Sequence, residues 1–265
     1  MAALFESDGE RFVPTTRSRG PWDPGFLHGG PVAMLAGRAM EALPSAVEMR
    51  IVRLTVEFLR PVPLAPLTVE ARQVRPGRRI QLLEAAIAGP DGDLVRAFGL
   101  RIRKAGTEVP ADEMVPPKPG PAELAAWTRS WSELEAFHSQ GVEIRPLDPS
   151  LMSPGSVWIR ARLPILEGED LTPLQRALAA ADFPNGVSLR LDPARFLSIN
   201  PDLTVHLHRE PGGEWVHLEA RTFISPDGTG VAEGVLSDLR GHFGRSMQSL
   251  ILEPRPPAPP QEPSF

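Results

Sequence analysis

"RLTVEFLRP" at residues 53–61 is echoed by "DLTVHLHRE" at residues 202–210, and this echo decides how the chain is built. The two stretches begin 149 residues apart (202 minus 53). At the same separation Glu70-Ala71-Arg72 falls on Glu219-Ala220-Arg221, Gly92 on Gly241 and Arg96 on Arg245. One offset held at four places reads as an internal duplication. Its period far exceeds that of a solenoid repeat, so each copy is a whole small domain.

Each copy reads as one helix followed by several antiparallel strands. In the first, Val32, Leu35, Ala36, Ala39 and Leu43 recur at spacings of three and four, which predicts a buried helix face over 28–43. Strand-like runs follow at 52–59, 67–74, 80–88 and 94–103, with Leu54, Val56 and Phe58 alternating toward one face. "GPDGD" (89–93) supplies an Asp-Gly turn between the last two. The second helix lies in "LTPLQRALAAADF" (171–183), with Thr172 as cap and Pro173 in its first turn. Strands are expected at 187–192, 203–209, 215–224, 230–238 and 244–252. The fold class is α+β, each sheet wrapped around its helix.

Composition narrows the class of protein. A chain of 265 residues, 42% hydrophobic, can bury one large core or two smaller ones. A net charge of −5 does not suggest a nucleic-acid partner. There are no cysteines, which excludes disulfides and thiolate metal sites. No apolar run approaches the length of a membrane span. The opening "MAALFESDGE" is mixed and acidic, unlike a signal peptide, so a cytoplasmic location and no membrane partner are expected. Prolines cluster at 109–123 and 253–265 and mark connector and tail. The expected division is 1–104, a connector at 105–149, a second unit at 150–253 and a tail at 254–265. A helix with Trp127 and Trp131 on one face is expected within "AELAAWTRSWSELEAFHSQG" (122–141).

One stretch asks for a functional reason. In "GPWDPGFLHGGPVAMLAGRAME" (20–41), His28 and the poor helix formers Gly29 and Gly30 stand where the first helix begins. Bare backbone there lets another molecule approach amides that lack a partner within the helix.

Taken together, "HGG" at a helix start, "RPV" (60–62) after the next strand and a long antiparallel sheet resemble the hotdog fold. Two such units, with "SINPDLTVHLHR" (198–209), "EARTFISPDGTG" (219–230) and "GRSMQSLIL" (244–252) in the second, resemble the double-hotdog acyl-CoA thioesterases of type II. The resemblance covers residues 10–104 and 150–253. It implies two tandem hotdog units packed as a pseudo-dimer, an acyl-CoA substrate taken from fatty acid metabolism, no cofactor, and further association into a homo-oligomer. It also implies an aspartate, a threonine and a glutamine that activate a water. By position these are Asp202, seven residues before Arg209, Thr222 in "EARTF" and Gln248 in "RSMQSL". The family's glycine pair matches Gly29-Gly30.

The chemistry stands on its own footing. Thioester hydrolysis needs a water made nucleophilic and donors for the charge that develops on the carbonyl oxygen. A carboxylate takes the proton, hydroxyl and amide groups orient the water, and free amides at Gly29 or Gly30 serve as an oxyanion hole. Subtracting 149 from Asp202, Thr222 and Gln248 lands on Arg53, Gln73 and Gly99, so the first copy lacks all three groups and one site per chain is expected.

Plainer readings exist for each residue. Asp202 after Pro201 also suits the start of a strand, Thr222 is an ordinary strand residue, and His28 suits an N-cap better than a base. Gln248 interrupts an apolar strand, where a buried amide needs partners. Asp182 and Asn185 in "ADFPNGVS" read first as a helix stop, with a supporting contact to the site as the second reading. His206 and His208 share a strand face, but no third ligand stands at usable spacing, so no metal is expected. Arg78, Arg79, Arg101, Arg103 and Lys104 read as surface before they read as phosphate ligands. Two other functions compete: a non-catalytic acyl-thioester binder, and a hotdog dehydratase or hydratase, which needs a histidine near an aspartate.

Overall fold

The computed structural model describes residues 2–110, 112–128 and 135–255. Strands β1 (Phe5–Asp8) and β2 (Arg11–Pro14) form an N-terminal hairpin. Helix α1 (Gly29–Glu41) follows, then β3 (Met49–Phe58), β4 (Leu67–Arg75), β5 (Ile80–Gly89) and β6 (Gly92–Arg103). The second half supplies β7 (Val142–Pro146), β8 (Gly155–Ala161), α2 (Pro173–Ala181) and the short α3 (Pro184–Val187). It ends in β9 (Phe196–Ile199), β10 (Asp202–Leu207), β11 (Trp215–Ile224), β12 (Thr229–Asp238) and β13 (Gly241–Pro254).

All strands join one sheet in the order β1-β2-β4-β5-β6-β3-β10-β13-β12-β11-β8-β7, with β9 added beside β13. Read from its two ends inward, this order is the same list twice. β4, β5, β6 and β3 are matched by β11, β12, β13 and β10, each displaced by about the 149 residues read from the sequence. The halves meet where β3 pairs with β10 antiparallel, in a register that sets Thr55 opposite Thr204, Arg53 opposite His206 and Glu57 opposite Asp202. Thr55 and Thr204 are 149 residues apart (204 minus 55), so a pseudo-two-fold axis passes between them. The chain is a double hotdog: one long sheet curved around two helices.

Those helices lie antiparallel, with the start of each beside the end of the other. Thr172, which caps α2, donates its hydroxyl to Glu41 at the end of α1 (2.9 Å). At the opposite end His28, which caps α1, stands 2.9 Å from Asp182, the residue after α2. Residues 30–37 of α1 are all buried, because sheet and partner helix cover it on nearly every side.

The middle of the chain departs from expectation. The connector is part of the sheet, since β7 pairs with β8 from Val142↔Ala161 to Pro146↔Val157. The described residues of 122–141 contain no long helix. Pro121–Glu123 make a 3-10 turn and Phe137–Gly141 a π-helical turn, while Trp131 and its neighbours at 129–134 lie outside the described residues. Nor do residues 187–192 form a strand. Val187, Leu189 and Leu191 alternate as a strand would, but Val187 closes α3 and Leu189 makes only an isolated bridge to Met152. Of the expected tail, residues 256–265 lie outside the described residues.

Buried titratable groups give the fold a pH dependence. His217 packs on Trp158 (ring centroids 4.9 Å) and shares a hydrogen bond with Ser156 (2.9 Å); burial pushes it down to about 4. His138 is also pushed down to about 4, by burial and then by nearby His28. Between pH 6.5 and 4 the unfolded chain takes up protons that the folded chain refuses, so stability is full above 6.5 and falls as pH drops. The slope is about 1.4 kcal/mol per pH unit for each imidazole. Urea unfolding midpoints followed from pH 7 to 4.5 should fall, and in His217→Gln the fall should be shallower.

Candidate active site

A cleft of 640 Å³ opens at the start of α1, between the two halves. Its walls are apolar, with Trp22, Phe26, Phe58, Leu59, Leu197 and Ile251 among them. Its polar lining includes His28, Gly29, Asp182 and Asn200. Local sequence explains how α1 presents its start. His28 is extended (φ −72°, ψ 142°) and caps the helix, so Gly29 carries its first N–H, which has no intrahelical acceptor.

Asp182 is the charged centre of this group. Its Oδ1 accepts from Gln248 Nε2 at 2.7 Å and from Asn200 Nδ2 at 3.0 Å. Its Oδ2 faces His28 Nδ1 at 2.9 Å. The carboxylate follows the last turn of α2, where the helix dipole disfavours it, yet it abuts the start of α1, where the dipole favours it. Gly29 permits that approach: a Cβ there would stand 2.6 Å from Asp182 Oδ2 and 2.9 Å from Phe58 Cζ. Gln248 is fully buried and is held in turn by Asn185, whose N–H donates to its Oε1 at 3.3 Å. Asn185 is anchored by two hydrogen bonds with Ser198.

His28 Nδ1 has two neighbours and one hydrogen-bonding role at a time. The Gly30 N–H points at it from 3.1 Å as the helix cap, and the Asp182 carboxylate stands 2.9 Å away. The charged partner at the shorter distance takes precedence, which assigns the proton to Nδ1 and leaves Nε2 with its lone pair. The ring is held between Phe183 (4.9 Å) and Phe137 (5.2 Å).

The residues expected from sequence are only partly brought together. Gly29, Gly30, His28 and Gln248 meet around one carboxylate, but that carboxylate is not Asp202. Asp202 lies opposite Ser249 and Leu203 opposite Gln248 when the β10–β13 register is extended, and successive strand residues point to opposite faces. Leu203 and Gln248 face the helices. Asp202 points outward and accepts from Ser249 N at 2.6 Å. Thr222 is buried on the inner face, yet Ala232 pairs with both Thr222 and Gln248 and so stands between them. Two strand spacings, about 10 Å, part them. The Thr222 hydroxyl instead meets Ser188 Oγ at 2.7 Å and ties the turn after α3 to the sheet. Asn200, an amide where a hydroxyl is expected, completes the group around Asp182.

The pseudo-symmetric end of the helix pair is filled. There Glu41 Oε2 accepts from Thr172 Oγ1 and from Gln175 Nε2 (3.0 Å), and burial raises its pKa. Gly99 takes the place of Gln248, and a Cβ on it would stand 2.6 Å from Met40 Sδ. Buried Arg101 donates to the carbonyls of Met40 (2.6 Å) and Leu43 (3.1 Å). Among the described residues no group of three or more His, Asp or Glu side chains is placed to hold a metal ion. No helix among them is long and apolar enough to cross a membrane.

Fold and site together define a tandem hotdog protein with a polar cluster between its halves. Residues 18–102 match the family model described as the acyl-CoA thioesterase N-terminal domain, and residues 88–252 match that of the acyl-CoA thioesterase C-terminal domain. The chain belongs to this acyl-CoA thioesterase family. Comparison with curated proteins finds no match. Among solved structures, a hot dog fold protein of unknown function from Alicyclobacillus acidocaldarius is similar at 17% identity and TM-score 0.72, covering 96% of each chain. The acyl-CoA thioesterase II TesB2 of Mycobacterium marinum is similar at 15% identity and TM-score 0.68, covering 95% of this chain and 94% of that one. A tesB protein of Mycobacterium avium subs paratuberculosis is similar at 18% identity and TM-score 0.66, over 94% and 96%. At these identities the likeness is one of fold.

Proposed function

We propose that this chain hydrolyses acyl-CoA thioesters at the cleft beside Gly29. The observation that carries the reading is the Asp182 carboxylate, clamped by two amides against the start of α1 at an apolar cleft. The acyl group lies along the apolar wall with its carbonyl toward the helix start. Asp182 supplies the negative charge of the polar cluster on which activation of a water depends, and Asn200 and Gln248 fix that charge in place. The Gly29 N–H stabilises the oxyanion, a donor worth about 3 kcal/mol at the transition state. A free-thiol release assay with acyl-CoAs of several chain lengths tests this. Steady thiol release is expected; a ligand-induced rise in melting temperature without any release points instead to a non-catalytic acyl-thioester binder.

One observation favours a second reading. Hotdog dehydratases and hydratases use a histidine beside an acidic residue, and such a pair stands here as His28 and Asp182. Incubation with a 2-enoyl-CoA separates the two. A hydratase consumes the enoyl absorbance with the thioester intact, whereas a thioesterase releases thiol. Thiol release is the expected result.

A further inference from the structure

Asp182 is a crowded carboxylate. Gln248 and Asn200 donate to Oδ1 and the His28 ring nitrogen faces Oδ2, which occupies three of its roughly four lone-pair directions. Little of it remains for a water. The opposite nitrogen of the same imidazole is placed otherwise. His28 lines the cleft, and Nε2 has no hydrogen-bond partner among the described residues. Two aromatic rings hold the imidazole plane, and Asp182 holds its tautomer. An orienting acid, a fixed imidazole and an open basic nitrogen are the parts of a general-base dyad, here with water as the nucleophile.

We infer that His28 Nε2 is the catalytic base that takes the proton from the attacking water, with Asp182 as its positioning partner; this rests on the thioesterase reading above. The water oxygen bonds to the thioester carbon as one water proton passes to Nε2, and the carbonyl oxygen becomes an oxyanion beside Gly29 N. The tetrahedral species collapses, the carbon–sulfur bond breaks, and Nε2 returns its proton to the departing thiolate sulfur. The products are a carboxylic acid and a thiol, and the imidazole ends neutral as it began. His138, from the connector, also lies near the ring; burial and then His28 itself push it down to about 4, so it does not compete for the proton. Asp23, Arg60, Glu253 and Arg255 are the charged residues elsewhere in the cleft lining.

His28→Asn separates this role from capping. Asparagine is a good N-cap and keeps a polar atom near the place of Nδ1, but it has nothing at Nε2. The expected result is a melting temperature close to wild type and a kcat lower by 10²- to 10⁴-fold, about what general-base catalysis contributes, with KM little changed. Added imidazole should restore part of the rate in His28→Gly. A kcat within threefold of wild type in His28→Asn overturns the inference even though thioesterase activity stands. If the wild type releases no thiol from any acyl-CoA, the thioesterase reading fails first. The dyad is then judged on ¹⁵N chemical shifts of His28 in the wild-type chain: a proton on Nδ1 with a bare Nε2 supports it, and a protonated Nε2 at neutral pH overturns it.

Discussion

Asp182→Asn is expected to lower thiol release by about 10³-fold, while Asp202→Asn changes it less than threefold. The two substitutions are chemically identical, so the contrast isolates position. At Asp182 an amide imposes the opposite tautomer on His28. Its oxygen can still accept from Gln248 and Asn200, but its N–H then faces His28 Nδ1, which has to accept, so the ring proton moves to Nε2. Every polar group keeps a partner, so the melting temperature should change little while the rate falls. The His28 ring also loses the charge that fixes it. At Asp202 the change touches a partly exposed carboxylate on the outer face of the sheet, whose described hydrogen bond is to Ser249 N. Thiol release and thermal melting of both variants check the pair of expectations.

Gly29→Ala gives the second large effect, and here two forces point in opposite directions. By helix propensity alone, alanine should stabilise α1 by about 1 kcal/mol. In the structure its Cβ would stand 2.6 Å from Asp182 Oδ2 and 2.9 Å from Phe58 Cζ, so one or both must move. Both are side-chain ends and can yield, which keeps the loss of stability small. The carboxylate yields, however, by leaving the place where Gln248, Asn200 and His28 converge. Misplacement of about 1 Å at such a centre costs on the order of 10²-fold in rate. Near-normal melting with activity reduced about 10²-fold is expected, whereas unchanged kinetics would show that Asp182 need not touch the helix start.

Much of the fold was legible because duplication and alternation are both written locally. The 149-residue offset anticipates the pairing of Thr55 with Thr204. The first-copy strands lie within a few residues of their expected bounds, since Leu54, Val56 and Phe58 alternate as a one-sided strand must. β7 is not legible, because prolines surround this five-residue strand and it exists only through its partner β8. The polar cluster at the cleft was half legible. His28, Gly29 and Gln248 broke local rules and drew attention for that reason. Asp202 drew attention as a lone aspartate near a matching arginine, but one step along a strand flips a side chain to the other face. Asp182 had a signal of its own: an acidic residue closing an alanine-rich helix, where the dipole opposes it. That signal has meaning only when another helix start lies against it, and the linear sequence does not say which helix that is. Asn200, two residues before Asp202, became visible only once β9 and β10 placed its amide beside Asp182.

The most direct measurement is a crystal structure of the chain with a non-hydrolysable acyl-CoA analogue in which a ketone replaces the thioester. The ketone oxygen is expected about 2.7–3.1 Å from Gly29 N, with the carbonyl carbon facing the His28–Asp182 pair and the acyl chain against Phe58 and Leu197. An analogue seated on the outer face of the sheet beside Asp202, or with its carbonyl beyond reach of Gly29, would contradict that placement.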